Sequence, residues 1–420
     1  MPTVDHTALD ALYRDPYPLF ARARRTEGLL PVPECDAWLV ARDEDVREVL
    51  LRPDDFSSRD VLRPDVLPGP AALAVLAGGF EQRPTVVSSD GAEHRRHRAP
   101  LNRALSAGQV SALMPYARRC AESLVAAFTG GGPDAGPGPV PPHGTAELMS
   151  AYALPLSGRV VGRLIGFDDE ADADTAVRRA NRAEALVYRP LAPDEQVGAA
   201  EEVVALQHRI DALAHDRRAA PRDDLCSALV TALAPGDAPL TPDQRHEIVA
   251  QVQNFLLAGE LTTTALVGTA LLHLLTARDQ WELLCAKPEL IPAAVEEAVR
   301  YDTAIQAFRR TTTRPVTLAG TRLPAGAVLL VAYGSANRDE ARHERPDVFD
   351  ITRLQGPGHL AFGHGPHRCP GARLAREQLR LTLELLTGRL PALHLDPHRP
   401  APVMRPTLIH RSPESLPVRW

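Results

Sequence analysis

Phe362-Gly-His-Gly-Pro-His-Arg-Cys-Pro-Gly-Ala-Arg-Leu-Ala-Arg376 is the stretch on which the reading of this chain turns. Glycines at 363, 365 and 371 permit turns closed to other residues and let a flat ligand approach the backbone closely. A single cysteine, Cys369, sits among them, and a helical pattern follows from Ala372 through Leu381. A thiol at a helix start is acidified by the helix dipole and by nearby backbone N–H groups, which suits a thiolate metal ligand. The segment also has blander readings: a structural cysteine in a glycine turn, a zinc site using His364, His367 and Cys369, or a phosphate loop. The phosphate loop fits poorly, because the glycines do not follow GxGxxG and no long strand precedes them. Zinc lacks a fourth ligand at a known finger spacing, the nearest histidines being His343 and His359.

Outside this segment the chain reads as an ordinary folded protein. Its 420 residues carry a net charge of −6 and are 44% hydrophobic. Such a length can bury about three quarters of the extended chain's surface without disulfides or metal clips. Mild acidity with no long basic run argues against nucleic acid or an anionic membrane as partner. Lys287 is the only lysine, and the other 46 basic residues are arginine, which keeps its charge and offers a rigid fork to buried carboxylates. Cys35, Cys120, Cys226, Cys285 and Cys369 are scattered with no CxxC pair, as for reduced thiols in a cytoplasmic protein. The N-terminus has no signal-peptide pattern, and no stretch approaches 20 uninterrupted apolar residues, so no membrane span is expected.

Most of the sequence has helical periodicity. Thr241-Pro-Asp-Gln244 supplies an N-cap, a first-turn proline and a capping-box glutamine, and the apolar run beyond it predicts an interior helix to about residue 276. Strand signals gather at Trp38-Leu-Val40 and at Val316-Thr-Leu318, a turn at Ala319-Gly320, and Val328-Leu-Leu-Val331, read together as a small sheet. Residues 130–144, rich in Gly and Pro, read as a long loop. Length alone favours two or three domains. Because the helical pattern resumes at Ala146, the loop is taken as an insertion within one domain spanning 1–420.

On the residues of the cysteine segment alone, a structural cysteine and a haem thiolate both stay open. The segment, however, resembles the haem-binding loop of the cytochrome P450 family, FGxGxHxCxG, with Phe362, Gly363, Gly365, His367, Cys369 and Gly371 at every fixed position. The resemblance extends over nearly the whole chain and is nearest to the soluble bacterial, actinobacterial-type members. It implies a mainly α fold with a small β-sheet-containing part, and haem b with Cys369 as the axial iron ligand. A thiolate ligand pushes electron density onto iron and favours O–O cleavage. Glu297-Ala-Val-Arg300 matches the family's ExxR, and Arg353 the third member of its buried network. His94 and Arg98 match HxxxR; with Arg310 and His367 they are implied to meet the haem propionates. Arg95, Arg96 and Arg103 are read either as an ordinary solvated face or as a basic patch for an acidic ferredoxin or flavodoxin.

One departure stands out. The family's A-G-x-acid-Thr appears as Ala258-Gly-Glu-Leu-Thr262-Thr263, with Leu261 at the acid position and the carboxylate one residue early at Glu260. On an ideal helix Glu260 lies some 160° from Thr262, roughly opposite. Thr262 and Glu260 are nevertheless the candidate catalytic residues, with a glutamate bonded to backbone or arginine as the other reading of Glu260; proton delivery is expected through Thr262, ordered water and the substrate's own polar groups. Asn254, Leu257, Ala258, Gln306, Ala307, Phe308, Ile409 and His410 are the candidate pocket residues, under a cover formed by 63–89. The expected function is haem-thiolate oxidation of a small organic molecule in secondary metabolism by a cytoplasmic, monomeric enzyme fed by a redox partner. Oxidative C–C or aromatic coupling without oxygen insertion is the alternative. A non-catalytic haem sensor or recruitment protein is the alternative of a different class.

Overall fold

A reciprocal pair of bonds starts the longest helix. The Thr241 N–H donates to Gln244 Oε1 at 2.9 Å and the Gln244 N–H to Thr241 Oγ1 at 3.3 Å, closing a capping box. The helix runs Pro242–Thr276, 35 residues, or about 52 Å. It is long and apolar enough to cross a membrane, yet 67% of that stretch is buried inside the protein, as in an interior helix. The computed structural model describes residues 10, 12–64, 66–130, 143–353 and 358–420; most of the loop expected at 130–144 lies outside them. The described chain is mainly α-helical with three small sheets. It divides into one compact unit of Met1–Val61, Tyr116–Leu156 and Thr262–Trp420 and another of Leu62–Pro115 and Ser157–Leu261.

In the first unit, a five-stranded sheet runs in the order Leu30–Val32, Ala37–Val40, Val328–Val331, Phe308–Thr312, Phe56–Ser57. The strand signals at 316–318 and 328–331, read as one small sheet, belong to two different sheets. Val316–Leu318 pairs with Thr321–Leu323, across a two-residue turn in which Ala319 and Gly320 both have positive φ, +49° and +77°, the geometry that matches strand twist. Val328–Val331 lies between Ala37–Val40, in parallel, and Phe308–Thr312, antiparallel. Leu329 and Val331 pack on one face with Val40, Phe56 and Leu360. Leu330 and Ala332 pack on the other with Phe20, Leu39 and Leu408. Burial on both faces explains the unbroken apolar run. A further sheet joins Thr145–Glu147, Pro417–Arg419 and His394–Leu395.

One buried carboxylate ties distant parts of this unit together. Asp302, just after the helix Ile291–Tyr301, accepts from Tyr17 Oη at 2.7 Å, Gln306 Nε2 at 3.1 Å, His273 Nε2 at 2.9 Å and Arg411 Nε. Arg338 stacks 3.6 Å above the Tyr17 ring and 3.9 Å from that of Tyr301. Burial pushes the Asp302 pKa up, but Arg411 and His273 outweigh it and hold the group well below the usual carboxylate range.

The second unit is built from helices. Gly158 and Gly162 meet Val177 and Ala173 so closely that an added Cβ would lie 2.8 and 2.7 Å from them. The segment after the short helix Pro70–Leu76 is pinned through its backbone. The Phe80 N–H donates to Gln207 Oε1 at 2.8 Å, the Glu81 N–H to His246 Nδ1 at 2.8 Å, and the Val86 N–H to Gln251 Oε1 at 3.1 Å.

Removing the Asp302 charge strands buried arginines, a loss of about 3–5 kcal/mol. Asp302→Asn is therefore expected to lower the urea midpoint by that equivalent with an unchanged m-value.

Candidate functional site

The cysteine loop is shaped by backbone turns. The Cys369 N–H donates to the Phe362 carbonyl at 2.8 Å and the Gly363 N–H to the Leu360 carbonyl at 2.8 Å. Gly363 and Gly365 have φ of +69° and +68°. At Gly365 a side chain is also blocked in space, since a Cβ would lie 2.4 Å from the Leu50 carbonyl oxygen. The loop ends at Gly371, ahead of the helix Ala372–Arg389, and leaves Cys369 exposed. His367 Nε2 lies 3.2 Å from Ser58 Oγ.

Behind the loop, Arg300 donates to both Glu297 oxygens from Nε and Nη2, each at 2.8 Å. Arg353 Nε also reaches both, at 3.2 and 3.1 Å. The Asp350 N–H adds a fourth donor at 3.0 Å. The arginines' remaining protons go to carbonyls: Arg300 Nη1 to Asn337 and Pro346, each at 2.9 Å, and Arg353 Nη2 to Arg345 at 3.1 Å and Val348 at 2.9 Å. Asn337 Oδ1 then accepts the Leu360 N–H at 2.6 Å. A continuous line of bonds thus runs from Glu297 to the loop bearing Cys369.

Arg310 is buried on strand Phe308–Thr312, where Nη1 donates to the Arg309 carbonyl at 2.8 Å. Phe308 is half-buried and meets Tyr333 edge-on, ring centroids 6.2 Å apart. Ile409 is buried and His410 half-buried in a bend closed by the Met404–Pro413 bridge, which holds the backbone of 306–307 through Leu408. Two pocket assignments are corrected. Gln306 is fully buried, its amide donating to Tyr17, Asp302 and the Thr303 carbonyl, and Ala307 belongs to the core beside Phe20 and Leu408. Neither faces open space.

In the other unit, Ala258 is exposed in mid-helix, with Leu257 half-buried next to it and Asn254 half-buried one turn earlier. Thr262 follows Ala258 by four residues and so shares its side of the helix. Glu260 is fully buried, and Asn181 Nδ2 donates to its Oε2 at 3.3 Å. Gly259 beside it presses against Val161. Glu260 thus sits in packed protein on the side away from Ala258, which favours the reading of a bonded glutamate without a proton role. Arg96 pairs with Glu247, which also meets His97; Arg95, Arg96 and Arg103 are all exposed. His94 is buried, and that burial, with Arg98 nearby, lowers its pKa. Arg98 Nε donates to Asn102 Oδ1 at 2.9 Å.

Among the described residues no three His, Cys, Asp or Glu side chains gather as a metal site, so the zinc reading of His364, His367 and Cys369 is dropped. A lone exposed sulfur in a loop of positive-φ glycines fits a metal whose other ligands come from a flat prosthetic ring.

The comparisons agree with this geometry. The family model described as cytochrome P450 matches residues 279–390. Cytochrome P450 107B1 of Saccharopolyspora erythraea is 32% identical, over 98% of this chain and 96% of its own. Mycinamicin IV hydroxylase/epoxidase of Micromonospora griseorubida is 33% identical, over 92% and 90%. Among solved structures, cytochrome P450 CREJ in complex with (4-ethylphenyl) dihydrogen phosphate aligns with a TM-score of 0.86 at 30% identity, covering 97% of this chain and 98% of that one. The chain belongs to the cytochrome P450 family. It has that family's fold and is an oxidoreductase of the monooxygenase type, and membership implies a haem iron with a thiolate ligand.

Near the network lies a buried titratable group, His343, that sequence reading did not connect with it. Burial, helped by Arg300, pushes the His343 pKa down from 6.5 to about 4. The folded state therefore prefers the neutral ring, and the unfolded chain takes up its proton first as pH falls. Its contribution is complete above pH 6.5 and is lost between about 6.5 and 4. His343→Gln is expected to remove on the order of 2–3 kcal/mol of that pH dependence, read as the difference between wild-type and variant urea midpoints from pH 4 to 7.

Proposed function

We propose that this chain is a haem-thiolate monooxygenase that hydroxylates or otherwise oxidises a small organic molecule, in secondary metabolism, with electrons from a ferredoxin or flavodoxin. The observation that carries the proposal is Cys369, exposed in its glycine loop and braced from Glu297. When bound, haem supplies the oxygen-activating iron. Cys369 would supply its thiolate ligand, and His94, Arg98, Arg310 and His367 would meet its carboxylates, an assignment made by motif position. Residues 1–420 are proposed to serve this one prosthetic group as a single cytoplasmic, monomeric domain.

Asn254, Leu257, Ala258, Phe308, Ile409 and His410 are the proposed substrate contacts, apolar walls with two polar side chains to orient the substrate. Thr262 would hold the proton-delivering water. Leu261 at the acid position supports a second reading, coupling without oxygen insertion, which removes hydrogen from the product instead of adding oxygen. Product mass separates the two.

The reduced, CO-bound protein is expected to show the strongly red-shifted Soret band of a thiolate ligand, and Cys369→Ser to lose it while keeping its helical circular dichroism. A wild-type protein that binds no haem would end the proposal. Thr262→Ala is expected to cut product formed per reductant several-fold, roughly tenfold, while oxygen uptake continues. Glu260→Gln is expected to leave that ratio within about twofold, in line with a glutamate that moves no catalytic proton.

A further inference from the structure

Two titratable side chains outside the Glu297 network, Arg376 and His359, pack on Phe362 of the cysteine loop, and both bond Glu296. Glu296 accepts from Arg376 Nε and, at 2.8 Å, from Arg376 Nη2. It also accepts from His359 Nε2 at 3.1 Å. The Arg376 guanidinium lies 4.4 Å from the centroid of the Phe362 ring, and the His359 ring packs on the same phenyl group at 5.9 Å. Phe362 in turn accepts the Cys369 N–H through its carbonyl.

His359 Nδ1 accepts the Ala361 N–H at 3.2 Å, and its Nε2 faces Glu296. Burial pushes the Glu296 pKa up, but the bonds from His359 and Arg376 outweigh it and bring it to about 2. Glu296 and Arg376 thus face each other as one negative and one positive charge. The two side chains are each about a quarter exposed, 25% and 29%, so solvent screens them in part but not fully.

We propose that Glu296 and Arg376 are positioning residues that form a charge-balanced clamp on Phe362, and that this balance sets the reduction potential of the iron held by Cys369. The inference rests on the haem-thiolate reading above. The step concerned is one-electron reduction of ferric to ferrous iron, with the electron supplied by the redox partner or by dithionite; no covalent bond forms or breaks. Removing the negative charge leaves an arginine facing the loop and favours the more electron-rich ferrous state. Removing the positive charge leaves a carboxylate and disfavours it. The two effects have opposite sign, which a purely structural role would not produce.

The test is spectroelectrochemical titration of the haem-loaded protein and its Glu296→Gln, Arg376→Gln and double variants at one pH. Glu296→Gln is expected to raise the ferrous-to-ferric ratio at a fixed applied potential about threefold, or roughly 28 mV at 59 mV per decade. Arg376→Gln is expected to lower it by a similar factor, and the double variant to return near wild type. Arg376→Lys, which keeps the charge and loses the planar stack, is expected to stay near wild type; it serves if Arg376→Gln does not fold. Shifts of the same sign, or all smaller than about 1.5-fold, would overturn the clamp while the CO spectrum still showed a thiolate. A wild-type CO spectrum without the thiolate band would overturn the haem-thiolate reading and the clamp with it.

Discussion

Glu297 is the constraint from which the rest of the site is built. A buried carboxylate must be paired, and this one is met by two arginines and a backbone N–H. Each arginine carries more donors than the carboxylate can use. The surplus fixes carbonyls from Asn337 to Val348. A lysine in either place would lack the fork that performs both tasks. Buried ion pairs are weak sources of net stability, but the desolvation cost makes every alternative arrangement worse. In this chain the result is a segment held rigidly enough for Asn337 to present its side-chain oxygen to Leu360, and so to set the start of the cysteine loop.

How much of this was legible in the sequence varied with the range of the interaction. The capping box at Thr241 and the apolar course of the long helix are local, and their reading holds in the structure. The two-residue turn at Ala319-Gly320 was also visible, but its partner strand was not. A continuous apolar run at 328–331 shows burial on both faces without showing which strands bury it. The sheet joining residues 145–147, 394–395 and 417–419 has strands of two or three residues, too short for a periodic signal, and 145–147 finds its partner more than two hundred positions away.

The same distinction runs through the candidate site. Helix arithmetic placed Glu260 opposite Thr262, and the structure puts it in packed protein. Its partner Asn181 carried no mark in the sequence, since an asparagine in mid-helix is ordinarily solvated. Gln306 was misplaced because a polar residue following the ExxR helix suits a pocket wall as well as a buried tie. Only the position of Asp302 and Tyr17 in space decides between them. Glu296 and Arg376 escaped notice because charged residues on helices are so common that their meeting at Phe362 cannot be read from spacing.

The parallel pairing of Ala37–Val40 with Val328–Val331 has a consequence for how the chain is made. Strands near the N-terminus cannot complete their sheet until nearly three hundred further residues exist, and Asp302 cannot be closed until Arg411 has been added. Contacts of such separation carry a large loop-closure entropy and slow folding. The helices of Leu62–Pro115 and Ser157–Leu261 have all their residues much earlier. During synthesis, this mostly helical unit can therefore consolidate while the first strands still wait for their partners. The vulnerable interval for this protein is the one in which Leu39 and Val40 are present and Leu330 and Val331 are not.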